Sequence, residues 1–377
     1  MSLQLQRTLP ASHLGALIDA LKHRGYDIVG PTLHDDVIVY DKIQSVNDLP
    51  AGWTDEQQPG RYRTKRRNNG AWFDYAVGPH SWKRFLHPPE VCLWSAQRLE
   101  GAFRILPQQH RPERKLAFLG VRSCDWAAIQ ILDRVLAEST DPDLIYTARR
   151  DDLFIVGVQC TSAAATCFCA SLKTGPSLRK GTDLALTELA GDGQPHRFLV
   201  EVGSERGDEL LSGLDTLPAT DEDRQYAAKF QARATQQGRR VDASTIRETL
   251  LHNFDHPRWD QVAERCLSCA NCTMVCPTCF CTTVEDSTDV TGDLAERWRR
   301  WDSCFTLGFS YIHGGSVRAS SRSRYRQWMT HKLACWVDQF GTLGCVGCGR
   351  CITWCPVGID ITEEARVLEE SKNHGNP

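Results

Sequence analysis

What this chain lacks narrows it first. No run of 18 apolar residues occurs anywhere in its 377 residues, which excludes a membrane-spanning helix and, with it, a membrane span as a mode of attachment. It has no basic excess: 44 lysines and arginines stand against 47 acidic residues, a formal net charge of -3, which argues against a nucleic-acid partner. GxGxxG after a strand, GxxxxGK[ST], HExxH and GxSxG are all missing. No dinucleotide pocket, phosphate loop, zinc protease site or nucleophile elbow is therefore evident, and no catalytic residue is assigned. The opening residues Met1 to Arg7 carry no apolar signal core, so the expected location is cytoplasmic, where thiols stay reduced and bind metal rather than pair as disulfides. Cysteine itself is absent before Cys92 and again between Cys169 and Cys266.

The cysteines that are present crowd toward the end, with twelve of seventeen from Cys266 onward. Eight of them spell one pattern twice: Cys266-x2-Cys269-x2-Cys272-x3-Cys276-Pro277 and Cys345-x2-Cys348-x2-Cys351-x3-Cys355-Pro356. In this bacterial-ferredoxin spacing three thiolates hold one [4Fe-4S] cube and the fourth, before the proline, reaches the other cube. Cys266, Cys269, Cys272 and Cys355 are thus expected to hold one cluster, and Cys345, Cys348, Cys351 and Cys276 the second. A pair of zinc knuckles would instead want two CxxC or Cys/His pairs separated by a loop.

Length and a hydrophobic content of 41% suit two or three domains with real cores. Residues 1–220 read as a mixed domain, α+β or α/β; 221–255 as a polar helical connection broken near Gly238; and 256–377 as a dicluster, ferredoxin-like [4Fe-4S] domain, largely helical. In the first part, Leu14, Leu17, Ile18 and Leu21 repeat at helical spacing, with Ser12 as cap and Gly25 as stop. Short apolar runs follow at Asp27–Val29 and Val37–Tyr40. A strand at Leu116–Leu119 leads through Gly120-Val121-Arg122-Ser123-Cys124-Asp125 into an apolar helix, and another strand follows at Leu153–Val158; that is a βαβ signature with functional loops at strand ends. Leu184–Leu189 and Phe198–Val202, around Gly191-Asp192-Gly193, read as a hairpin.

Seven further thiols are candidate ligands. Cys124, Cys160, Cys167 and Cys169 lie at predicted loop ends and are weighed as a third iron–sulfur cluster, against the alternative that they are small buried hydrophobes. Cys279, Cys281 and Cys304 are alternative ligands. Thr-Cys-Phe-Cys occurs at 166–169 and again at 278–281, so either one site borrows ligands from both halves or the two segments pack alike. Cys92 and Cys335 are read as core residues. The run Arg61 to Arg67 reads first as a solvated loop. Arg318, Arg322, Arg324 and Arg326 either face a cluster or docking surface or lace a helix to its neighbours. Trp298, Trp301, Trp328, Trp336 and Trp354 would keep water from a cluster, or simply pack.

A chain with clusters and no visible catalytic cofactor site is most simply a wire between other subunits, with a structural cluster protein carrying a binding N-terminal domain as the alternative. Particular strings sharpen this. Gly120-Val121-Arg122-Ser123-Cys124-Asp125, Cys167-Phe168-Cys169 with Gly175-Pro176, Arg265-Cys266-Leu267-Ser268-Cys269-Ala270-Asn271-Cys272, Cys276-Pro277-Thr278-Cys279-Phe280-Cys281, Trp301-Asp302-Ser303-Cys304 and Cys345-Val346-Gly347-Cys348-Gly349-Arg350-Cys351 resemble the beta subunit of cytoplasmic NAD(P)-linked [NiFe] hydrogenases, the sulfhydrogenase type. The same strings are similar to the electron-transfer subunit of anaerobic sulfite reductase. The hydrogenase resemblance implies a non-catalytic electron-transfer subunit in a heteromeric complex, placed between the small and large [NiFe] hydrogenase subunits on one side and an FAD/NAD(P)-binding subunit on the other.

Overall fold

The computed structural model describes residues 6–372 except 109, 110, 179, 192 and 194. Its largest sheet has eight strands in the order Leu217–Pro218, Gln6–Pro10, Arg197–Val202, Leu184–Leu189, Phe154–Val158, Lys115–Val121, Tyr26–His34 and Val37–Lys42. The four from Leu184–Leu189 to Tyr26–His34 are mutually parallel, and antiparallel strands close both edges. Sequences such as KLAFLGV form central strands because both faces are covered. Ala117 and Leu119 point into one core with Leu14, Leu17, Ile18 and Leu21, while Leu116 and Phe118 point into the other with Ile129 and Leu132. The period-two alternation of a strand thus feeds two helical layers at once.

The first helix runs Leu14–His23, as its apolar spacing predicts. Ser12 does not cap it: a short 3-10 turn, Ala11–His13, intervenes, and the His13 side chain at the cap position makes no capping bond. Gly25 stops the helix with φ +82°, a conformation that favours glycine. The hairpin Leu184–Leu189/Arg197–Val202 is present, while Asp192 of its turn lies outside the described residues. The polar stretch after 220 forms Asp221–Thr235, opened by a Thr220 capping box, and then Ile246–His252.

The cysteine-rich part is less helical than expected. Thr282–Thr288 and Leu294–Trp301 form an antiparallel hairpin that joins Glu90–Leu99 and Ala102–Leu106 in a four-stranded sheet. Alternating apolar residues do not announce these strands. Cross-strand ion pairs do the work instead: Arg297 opposite Asp286 at 2.6 Å, and Arg300 with both Glu285 and Glu90. The remainder packs as helices Arg258–Arg265, Ser321–Thr330 and Ile361–Lys372 around Trp259, Tyr325, Trp328, Met329 and Leu368, and Phe168 from the first half enters that same core.

Three smaller expectations resolve here. The arginine run is no loop but an exposed strand, Arg61–Arg66, paired with Trp53–Gln58. Arg322 and Arg326 tie their helix to Asp255 and Asp260, and Arg324 binds the oxygens of Arg318 and Ala319. Cys92 and Cys335 are only half-buried, Cys92 because it lies on a strand of the smaller, open sheet.

Candidate metal centre

The two cysteine motifs fold alike. In each, the residue just before the second cysteine is left-handed, Ser268 at φ +49° and Gly347 at +63°, and so is the residue just after it, Ala270 at +66° and Gly349 at +77°. A single short helical turn follows, Asn271–Met274 and Arg350–Thr353. These reversals curl the chain so that three thiols of one motif share a concave side. The second motif requires glycine for a further reason: a Cβ on Gly347 would stand 2.6 Å from Cys169 Cα, and one on Gly349 2.5 Å from Thr166 O.

One cleft is lined by Cys266, Cys269, Cys272, Cys351 and Cys355, with Phe305, Tyr325, Trp328, Ile359 and Ile361 as apolar walls. It holds about 460 Å³ of space between protein atoms, counting its mouth. Cys269 is exposed, so this group reaches the surface. The second group is deeper. Burial first, then Cys345, Cys348, Cys276 and Cys272 push the Cys351 thiol well above its ordinary range. Cys345 is likewise pushed up to about 12 by burial and neighbours Cys348 and Cys276. Cys276 therefore keeps company with the second motif although it belongs to the first, and Cys272 links the two groups.

The other candidates form two further groups. Cys124 opens the helix Ser123–Leu132 and Cys160 follows the strand Phe154–Val158, both at the carboxyl ends of parallel strands. Burial raises the Cys167 thiol most, followed by Cys169, Cys160 and Cys348, and Cys124 is raised by burial, Asp125, Cys348 and Cys169. Cys160, Cys167 and Cys169 thus neighbour one another, Cys124 neighbours Cys169, and Cys124, Cys167 and Cys169 abut Cys348 of the buried motif. Gln237 Nε2 donates to Cys169 Sγ at 3.3 Å. Cys279 hydrogen-bonds Cys276, a contact that holds the Cys276 thiol well below its ordinary range and the Cys279 thiol well above it, and burial followed by Cys281 raises Cys304 to about 12. The first TCFC segment lies against Gly347 and Gly349, and Thr278 of the second donates to Gly344 O at 2.6 Å, so the two segments meet the buried motif at different residues.

The donor chemistry fits iron–sulfur clusters. A buried bare thiolate is unfavourable, which is why most of these thiols are raised; a metal supplies the positive charge that releases their protons. A mononuclear tetrahedral site would draw its sulfurs to about 3.8 Å from one another, given Zn–S of about 2.3 Å. Among the described residues no group of three or more His, Cys, Asp or Glu side chains is placed to hold a single metal ion, and the cluster assignment rests on the cysteine spacing.

Sequence reasoning passed over three charged residues that the fold brings in. Arg350, inside the second motif, is fully buried with its Nη2 2.9 Å from Asp125 Oδ1, and it donates to Gly78 O and His80 O. Its place between Cys348 and Cys351 was the available signal. Lys83 and Lys332 are each 3% exposed and stand beside the Cys276–Cys304 thiols, and nothing in their local sequence marks them.

The doubled thiol motifs are those of an iron–sulfur protein, and the family described as 4Fe-4S dicluster domain matches residues 265–359. Over nearly the whole chain the likeness is more particular. Sulfhydrogenase 2 subunit beta of Pyrococcus furiosus is 32% identical over 349 residues, 91% of this chain and 91% of that protein. The chain belongs to the sulfhydrogenase beta subunit family, iron–sulfur subunits of electron transport. No solved structure matches it, and among the described residues no helix is long and apolar enough to cross a membrane.

Proposed function

We propose that this chain relays electrons inside a hydrogenase complex, between the small and large [NiFe] subunits and an FAD/NAD(P)-binding subunit, without catalysing a reaction itself. When bound, [4Fe-4S] clusters supply one-electron storage. Cys266, Cys269, Cys272 and Cys355 hold one cluster and Cys345, Cys348, Cys351 and Cys276 the other, the clusters that the dicluster domain implies. The observation that carries this reading is the crossover: Cys355 lines the cleft of the first motif, and Cys276 neighbours the second. The wall of Phe305, Tyr325 and Trp328 excludes water from the first cleft, and Cys269 gives it an outlet toward a partner. Cys124, Cys160, Cys167 and Cys169 are the candidate ligands of a third cluster, and the nearness of Cys124, Cys167 and Cys169 to Cys348 supports it as an extension of the same path.

Protein purified anaerobically is expected to carry about eight iron and eight sulfide with two clusters, or about twelve of each with three. Two zinc ions and negligible sulfide would end the cluster reading. In the assembled complex, Cys269→Ser or Cys348→Ser should abolish hydrogen-dependent NAD(P) reduction and spare each half-reaction with artificial dyes, because other subunits perform the chemistry. An assembled variant that lacks one cluster yet keeps full hydrogen-to-NAD(P) activity would remove that cluster from the path.

A further inference from the structure

The two motif groups sit in unequal surroundings. Cys276, Cys345 and Cys348 are buried, whereas the first group includes exposed Cys269. A centre held by four thiolates is anionic and gains one more negative charge on reduction, so a dry site by itself holds it oxidised. The fold places a counter-charge there. Lys332, 3% exposed, comes from the turn that continues the helix Ser321–Thr330. Its Nζ donates to Cys276 Sγ at 3.3 Å, to Thr278 Oγ1 at 3.1 Å and to Gly344 O at 3.1 Å. Gly344 immediately precedes Cys345, so the ammonium spans both ligand-bearing segments.

No carboxylate pairs with Lys332 among the described residues; the groups that favour its charge are the thiols of Cys276, Cys279 and Cys345. Buried ammonium groups are costly unless matched by an anion. Two other buried cations near the motif thiols differ. Arg350, beside Cys348, is matched by Asp125. Lys83 donates to the main-chain oxygen of Cys279 at 2.7 Å and lies 3.7 Å from the centre of the Trp301 ring, and among the described residues it bonds to no motif sulfur.

We propose that Lys332 is a positioning residue that raises the reduction potential of the buried centre held by Cys276, Cys345, Cys348 and Cys351, making it the more easily reduced of the two motif centres. This rests on the two-cluster reading above. A positive charge and an N–H···S bond both stabilise the more negative, reduced form. The electron then rests in the interior and leaves through the exposed centre.

The test is an anaerobic redox titration of the purified full-length protein, followed by electron paramagnetic resonance, with the exposed centre identified by its loss in Cys269→Ser. In Lys332→Met the reduced-to-oxidised ratio of the buried centre at fixed potential should fall at least tenfold, a shift of 59 mV for one electron. The exposed centre should move by less than about threefold, and Lys332→Arg, which keeps the charge, should restore the buried one to within that margin. Lys83→Met should have a smaller effect than Lys332→Met. A buried centre that Lys332→Met leaves unshifted overturns the proposal. If Lys332→Met loses that centre, the unaltered protein still decides: the buried centre must titrate above the exposed one, and the reverse order overturns the proposal. An unaltered protein without two [4Fe-4S] signals would instead fail the two-cluster reading itself.

Discussion

Arg350→Met tests how the sheet and the cysteine motifs are held together. Arg350 sits between two cysteines of the second motif, and Asp125 lies one residue beyond Cys124 on the helix that follows the central strand; both are at most 1% exposed. Their 2.9 Å contact is an ion pair with its N–H not aimed along a lone pair, while aligned hydrogen bonds come from Tyr40 Oη to Asp125 at 3.2 Å and from Arg350 Nε to Gly78 O at 3.0 Å. At an effective dielectric of about 20, the Coulomb attraction at this distance is about 6 kcal/mol, which desolvation of both groups largely offsets. Removing the arginine alone keeps the cost of the buried carboxylate and loses its compensation, so the expected destabilisation is about 3–5 kcal/mol. Replacing both, in Asp125→Leu/Arg350→Met, should cost clearly less than the sum of the single changes. The measurement is anaerobic denaturant unfolding of cluster-loaded protein, read by the visible absorbance of the clusters and by circular dichroism. A single variant within about 1 kcal/mol of the parent, or strictly additive singles, would refute the reasoning.

Three further outcomes are expected. Gly347→Ala forces a side chain into left-handed backbone against Cys169 and should cost about 1–3 kcal/mol in strain alone, seen as a lower melting temperature; a neutral result would show that the 166–169 segment yields freely. Asp223 would be raised by burial, but bonds from Thr220, Arg197 and Thr8 outweigh this and hold it at about 2. Its folded value lies below its unfolded one, so its contribution is present above about pH 4 and is lost as pH falls toward 2. Asp223→Asn should therefore cost about 2 kcal/mol at pH 7, with the gap to the parent narrowing across that window in urea unfolding. Cys276→Ser should damage the centre of Cys345, Cys348 and Cys351, although Cys276 belongs to the first motif; resonance spectra showing the defect at the Cys266–Cys272 centre would contradict the ligand exchange.

Much of the scaffold was readable because its signals are local. The strands at 115–121 and 154–158 are continuous apolar runs, and the first helix has its period. The hairpin at 282–301 escaped because its pairing rests on charges matched across strands, Arg297 with Asp286 and Arg300 with Glu285, a relation that has no period along one chain. Ser12 failed as a cap because the turn at 11–13 moved the cap position to His13 and the helix start by one residue, the kind of boundary that propensity leaves open.

The cysteine spacing by itself determined the class of cofactor and the proposed exchange of ligands, because three thiols in seven residues followed by a fourth before proline already encode the local wrap around a cube. Tertiary structure alone decided what surrounds those thiols. It set the Thr166–Cys169 segment against Gly347 and Gly349, gave Arg350 its carboxylate from a helix more than two hundred residues away in sequence, and left Lys332 facing Cys276 with no carboxylate partner among the described residues. Burial and charge matching depend on which distant segments meet, so no spacing within either segment carries them.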